Sequence, residues 1–133
     1  MRTYEMVRQS VRNGQQRFMR ELLEACGGAC AITRCAVPEA LQAAHIIGYR
    51  GLASNVVTNG LLLRADMHLL YDSGLLTVDP DRPKVVTSTR LACSGYSELD
   101  GACLVLPRER RFEPSRDYLA VKFKEFEMMD RAS

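Results

Sequence analysis

Both histidines of this chain, His45 and His68, stand in one pattern with an asparagine between them. The pattern is Ala43-Ala44-His45-Ile46, then Asn59-Gly60-Leu61-Leu62-Leu63-Arg64-Ala65-Asp66-Met67-His68-Leu69-Leu70-Tyr71-Asp72. A neutral imidazole can take a proton from water near neutral pH, and a second imidazole can bind a divalent cation. Asp72 follows His68 by one helical turn, so on a helix the two side chains share a face and can converge on one ion. Those are the minimal parts for metal-assisted attack of water on a phosphodiester. Taken alone, His45 also reads as a hydrogen-bonded core residue, because Leu41, Ala43, His45 and Ile47 share one face of a strand.

The elements that must position these residues follow from local patterns. Asn13 is a candidate helix cap with Gln16 at the capping-box position; Phe18, Leu22, Leu23 and Cys26 recur at helical spacing, and Gly27-Gly28 ends the run. Ala29–Thr33 and Leu41–Ile47 read as two short strands joined by Arg34–Ala40, which contains Pro38. A loop with Gly48, Gly51, Ser54 and Asn55 leads to Asn59-Gly60, and residues 66–73 read as a short helix. Asp66 can cap that helix, Met67, Leu70 and Tyr71 form its apolar face, and Gly74 stops it. Beyond it, Leu75–Val78 and Lys84–Thr87 flank the turn Asp79-Pro80-Asp81-Arg82-Pro83 as a hairpin. Residues 88–114, broken by Gly95, Gly101, Pro107 and Pro114, carry no assignable element. Ser115 can cap a last helix in which Leu119, Phe123 and Phe126 form a packing stripe.

Bulk properties set mild limits. A chain of 133 residues, 47% hydrophobic and 26% charged, is expected to form one folded domain over 1–133, with a core at about 14–79 and a decoration at about 80–133. A net charge of +2 does not by itself announce a nucleic-acid binder. The first 20 residues nevertheless carry Arg2, Arg8, Arg12, Arg17 and Arg20 against Glu5, which is either a solvated helix face or an arm that contacts phosphates. No apolar run reaches membrane-spanning length and no signal-like core follows Arg2, so no membrane is expected and the cytoplasm is the expected location. Five cysteines (Cys26, Cys30, Cys35, Cys93, Cys103) fit reduced thiols better than a disulfide framework.

The run from Cys30-Ala31-Ile32-Thr33 through Ala43-Ala44-His45-Ile46 to Asn59-Gly60-Leu61-Leu62-Leu63-Arg64 and His68 resembles the HNH endonuclease family, in its branch found in bacterial restriction-type proteins. Asn59 lies fourteen residues after His45, and His68 nine after Asn59, the offsets of that family's motif. The resemblance implies an α+β fold: a ββα-metal (His-Me finger) core, which agrees with the strand, strand, helix order, plus an N-terminal helix and a C-terminal hairpin-and-helix decoration. It further implies a metal-dependent endonuclease acting on DNA, alone, as a homodimer or within a larger restriction or defence assembly.

Carried onto this sequence, the resemblance implies His45 as general base, Asn59 as a clamp on the loop joining strand and helix, and His68 with Asp72 as holders of the ion. Mg²⁺ or Mn²⁺ suits one imidazole and one carboxylate completed by waters and phosphate; Zn²⁺ or Ni²⁺ could also occupy such a site. Asn59-Gly60 also reads simply as a turn, since both residues tolerate positive φ. Arg64 is a candidate phosphate contact or a surface ion-pair partner, and Arg12 and Arg17 are candidates on the N-terminal helix. The sequence departs from many members of the family at Ala44, where a ligating carboxylate or histidine often stands; this moves the metal to His68 and Asp72 and predicts weak affinity for it. Two other readings stay open: a binding module of the same fold without the reaction, and a structural zinc domain built from Cys30, Cys35 and His45.

Overall fold

The computed structural model describes residues 3–132, with side chains through Asp130; Arg2, counted in the N-terminal basic cluster, lies outside them. Helix α1 (Tyr4–Ala25) starts well before Asn13. Thr3 caps it by accepting the Met6 N–H at 3.2 Å, whereas Asn13 sits inside the helix and accepts from Gln9. The added turns are exposed, so no apolar stripe marks them; only Phe18 and Leu22 are buried along α1. Gly27 and Gly28, both at positive φ, end the helix as expected, with the Gly28 N–H on the Leu23 carbonyl at 2.8 Å.

Strand β1 (Leu41–His45) pairs antiparallel with β2 (Gly60–Arg64), Leu41 opposite Arg64 and His45 opposite Gly60. This corrects two expectations. Ala29–Thr33 is a turn, because the N–H groups of Ile32 (3.4 Å) and Thr33 (3.3 Å) are turned onto Cys30 Sγ, which also accepts from Arg64 of β2 (3.2 Å). The second strand of the finger is instead Gly60–Arg64, and β1 stops at His45: the Ile46 N–H still meets the Asn59 carbonyl at 2.9 Å, but the Ile47 N–H goes to the Asn59 side chain. Leu61, Leu62 and Leu63 are all buried, with α1 and α2 both packed on β2, so this strand shows no polar alternation.

Helix α2 (Ala65–Asp72) follows β2 without an intervening residue. Asp66 is not its cap. It lies in the first turn, where it accepts the Met67 N–H at 3.0 Å and binds Arg64. Gly74 at φ +73° ends the helix. The chain then forms the expected hairpin, β3 (Leu76–Val78) against β4 (Val85–Thr87), and a series of short turns where no element was assignable. Helix α3 (Arg116–Ala132) is capped by Ser115, whose Oγ accepts the Tyr118 N–H, and buries Leu119 and Phe126.

One apolar cluster runs from Cys30 and Leu41 through Leu61–Leu63, Met67 and Tyr71 to Leu76, Val85 and Leu119, so hairpin and last helix share a core with the finger. The Ser115 N–H also reaches the Thr58 carbonyl at 2.7 Å, which ties the start of α3 to the loop after β1. The fold is α+β, as the resemblance implied. Among the described residues no helix is long and apolar enough to cross a membrane.

Candidate active site

The antiparallel register explains the fourteen-residue offset. Because His45 faces Gly60 across the ladder, residues 46–59 form the connection between the strands and Asn59 returns to the side of His45. Asn59 is 3% exposed and uses its whole amide on that connection. Its Oδ1 accepts the Ile47 N–H at 2.8 Å, and its Nδ2 donates to the carbonyls of Ile47 (3.1 Å) and Ser54 (3.0 Å). The clamped segment thus joins strand to strand, not strand to helix.

Gly60 has a different purpose from the turn considered above. Its backbone is extended (φ −132°, ψ 150°), and a Cβ there would lie 2.7 Å from Phe18 Cζ and 2.8 Å from Leu22 Cδ1. Glycine therefore lets α1 approach β2. The Phe18 ring, held by that approach, stacks on the His45 imidazole with centroids 4.6 Å apart and planes 13° apart. Tyr49 lies tilted at 5.7 Å, and the Asn55 Oδ1 sits 2.7 Å from His45 Nε2.

His68 is reached from the other end of β1. Since Arg64 pairs with Leu41, the helix that continues β2 starts beside the beginning of β1, and His68 Nδ1 meets Gln42 Oε1 at 2.7 Å. An amide oxygen only accepts, so Nδ1 carries a hydrogen, and in the neutral ring Nε2 then keeps its lone pair. That Nε2 faces Asp72 Oδ2 at 3.1 Å. Two acceptors so placed require a proton or a metal ion with them. The separation is close to the edge of about 3.0 Å between neighbouring ligands of an octahedral ion with bonds of about 2.1 Å, so the pair fits a small divalent cation.

Among the described residues no group of three His, Cys, Asp or Glu side chains converges, so waters and substrate must complete such a shell. Ala44 cannot help, being fully buried in the core. One open cavity of about 520 Å³ is lined by His45, His68 and Asp72, together with Gln15, Phe18 and Tyr49. Both imidazoles therefore face the same solvent-accessible space. A larger cavity, about 690 Å³, is lined by Cys26, Val57, Arg108 and Phe112 among others and contains neither histidine.

The arginines fare differently. Arg64 is committed to Asp66 through two hydrogen bonds (2.7 and 2.9 Å) and does not line the cavity of the histidines. The Arg64 guanidinium, helped by the Tyr96 hydroxyl at 3.1 Å, holds the Asp66 carboxyl below its usual range. Arg17 pairs with Glu21 at 2.7 Å. Arg12 is exposed on α1, one helical turn before Gln15 of the cavity wall.

Cys30, Cys35 and His45 are not brought together, so the zinc reading loses its ligand set. Burial opposes the Cys30 thiolate, yet the hydrogen bonds onto its sulfur draw the thiol below its usual range; Cys26 is pushed up by burial. Sequence reasoning missed Gln42 and Asn55. Their partners lie 26 and 10 residues away, and no local pattern announces either contact.

Residues 30–79 match the family model described as HNH endonuclease. No curated protein matches the chain. Among solved structures, the chain is similar to a modification-dependent TagI restriction endonuclease, with a TM-score of 0.61 and 19% identity over 82% of the present chain. The chain spans 37% of that protein's length. At this identity the likeness speaks for the fold. His45, Asn59 and His68 all fall inside the segment that matches the HNH endonuclease model.

Proposed function

We propose that the chain is a metal-dependent endonuclease that hydrolyses phosphodiester bonds in DNA. The observation that carries this reading is the single open cavity onto which His45 and the His68–Asp72 pair both face. His45 takes the proton of the attacking water. Asn59 holds the loop beside it, and Phe18 covers one face of its ring. His68 and Asp72 hold the cation, Mg²⁺ or Mn²⁺ before Zn²⁺ or Ni²⁺, with Gln42 fixing the nitrogen that His68 presents. When bound, such an ion supplies positive charge against the phosphate and the departing 3′ oxygen. Two protein ligands make for weak retention, so the metal must be supplied in solution.

Arg12, unpaired among the described residues and one helical turn from Gln15 of the cavity wall, is the arginine we assign to substrate phosphate; Arg64 and Arg17 contribute less, since each already has a carboxylate partner. The likeness to a restriction endonuclease supports a place in a restriction or defence assembly, with the chain acting singly or as a homodimer.

The test is nicking of supercoiled plasmid by wild type and His45→Ala, each with Mg²⁺, Mn²⁺ or chelator. Wild type should cut with either metal and not with chelator, and His45→Ala should be slower by about 10²–10⁴-fold. Equal cutting by the two proteins, or full activity after exhaustive chelation, would overturn the assignment.

A further inference from the structure

A histidine can serve as a base only through a nitrogen that has no hydrogen, and neutral imidazole offers two tautomers. We infer that Asn55 is a positioning residue that selects the working tautomer of His45. This rests on the reading of His45 as the proton acceptor and extends it to a residue outside the His–Asn–His pattern.

Asn55 Oδ1 lies 2.7 Å from His45 Nε2. The amide oxygen accepts, so the hydrogen resides on Nε2 and the lone pair on Nδ1. No described residue bonds Nδ1, and His45 lines the open cavity, so Nδ1 is the nitrogen left to meet water. Were the amide turned over, its NH₂ would donate to Nε2, the hydrogen would move to Nδ1, and His45 could no longer accept a proton there. One amide orientation therefore separates a competent base from an incompetent one.

The amide does not hold itself in place through its nitrogen. Asn55 Nδ2 is buried and has no hydrogen-bond partner, lying against Gly14 of α1, where a Cβ would come within 3.2 Å of it. Among the described residues the bond to His45 is the side chain's only hydrogen bond, and the backbone fixes where that side chain starts. The Asn55 N–H bonds the Leu52 carbonyl at 3.0 Å, and the preceding Ser54 carbonyl is held by Asn59 at 3.0 Å. The order of control thus runs from Asn59 to Ser54, to Asn55, to His45. Phe18, stacked on the ring face, leaves the choice of nitrogen to the hydrogen bond at its edge.

The test reads the ring directly. With only two histidines, ¹⁵N-labelled imidazole spectra of the metal-free protein, assigned with a His68→Gln variant, distinguish the tautomers of His45. Wild type should show the hydrogen on Nε2. Asn55→Ala should show a mixture and lower kcat by about 10–100-fold with little change in KM. Asn55→Asp, which can only accept, should keep the Nε2–H form and recover most of kcat. A wild-type His45 with its hydrogen on Nδ1 would overturn the inference, as would an Asn55→Ala protein with wild-type tautomer and kcat. If Asn55→Ala does not fold, Asn55→Asp decides alone, since appearance of the Nδ1–H form in it would also overturn the inference. A wild type that shows the Nε2–H ring yet cuts no DNA with Mg²⁺ or Mn²⁺ would defeat the nuclease reading while leaving the Asn55–His45 pairing established.

Discussion

The chain contains two antiparallel hairpins, β1–β2 and β3–β4, connected by fourteen residues (46–59) in the first and six (79–84) in the second. Closing the longer connection costs only about 0.8 kcal/mol more in chain entropy. Keeping it in one conformation is far costlier, on the order of 1–2 kcal/mol for each residue fixed. The short connection needs little help: the Asp79 N–H bonds the Lys84 carbonyl, and Asp79 Oδ1 takes the N–H of exposed Asp81, both at 2.8 Å. The long one is anchored by the buried amide of Asn59, and it is the one that carries Asn55 and starts at His45. Length creates room for chemistry, and a buried polar anchor is what makes that room ordered.

Removing the two anchors should separate the hairpins most. Asn59→Ala deletes three hydrogen bonds and leaves half-buried peptide groups unpaired, so it should cost about 3 kcal/mol in urea unfolding and abolish nicking. Asp79→Ala should cost less than about 1 kcal/mol, because the group it frees can turn to water. Equal losses would end the distinction drawn between the two connections.

A smaller effect is expected at the approach of α1. Gly60→Ala drives a methyl group into Phe18 and Leu22, which should destabilise the fold by about 2 kcal/mol. It should also move the phenyl ring off His45, and the ring-current shift of the imidazole protons reports that displacement. Unchanged imidazole shifts with a wild-type melting curve would mean that the contact yields freely.

The smallest effect concerns acid. Asp66, held below its usual range first by the Arg64 guanidinium, adds stability that is fully present above the usual carboxylate value and is lost as pH falls through the lowered one. For this half-exposed pair the gain is under about 1 kcal/mol, so the difference in stability between wild type and Asp66→Asn should shrink steadily in acid. A difference that grows on acidification would reverse the sign argued here.

What could be read from the sequence was whatever depended on neighbours. Gly27-Gly28 and Gly74 stop helices, Ser115 starts one, and Asp79-Pro80-Asp81 turns a hairpin, each by local backbone preference. The offsets between His45, Asn59 and His68 were legible through the family resemblance, and the fold accounts for them as the connection 46–59 and then β2 with the first turn of α2. Strand β2 was not, because Leu61-Leu62-Leu63 is buried on both faces and lacks the alternation that marks a strand with one wet side. Ala29–Thr33 misled for the converse reason: Ile32 and Thr33 favour strands, but a sulfur atom captured their peptide groups. Gln42 and Asn55 show themselves only once the chain has folded back on itself.

Between Arg64 and Ala65 the strand becomes helix with no residue to spare. A joint of zero length has no hinge. The wall of the cavity that bears His68 and Asp72 is therefore continuous with the sheet whose first strand ends in His45.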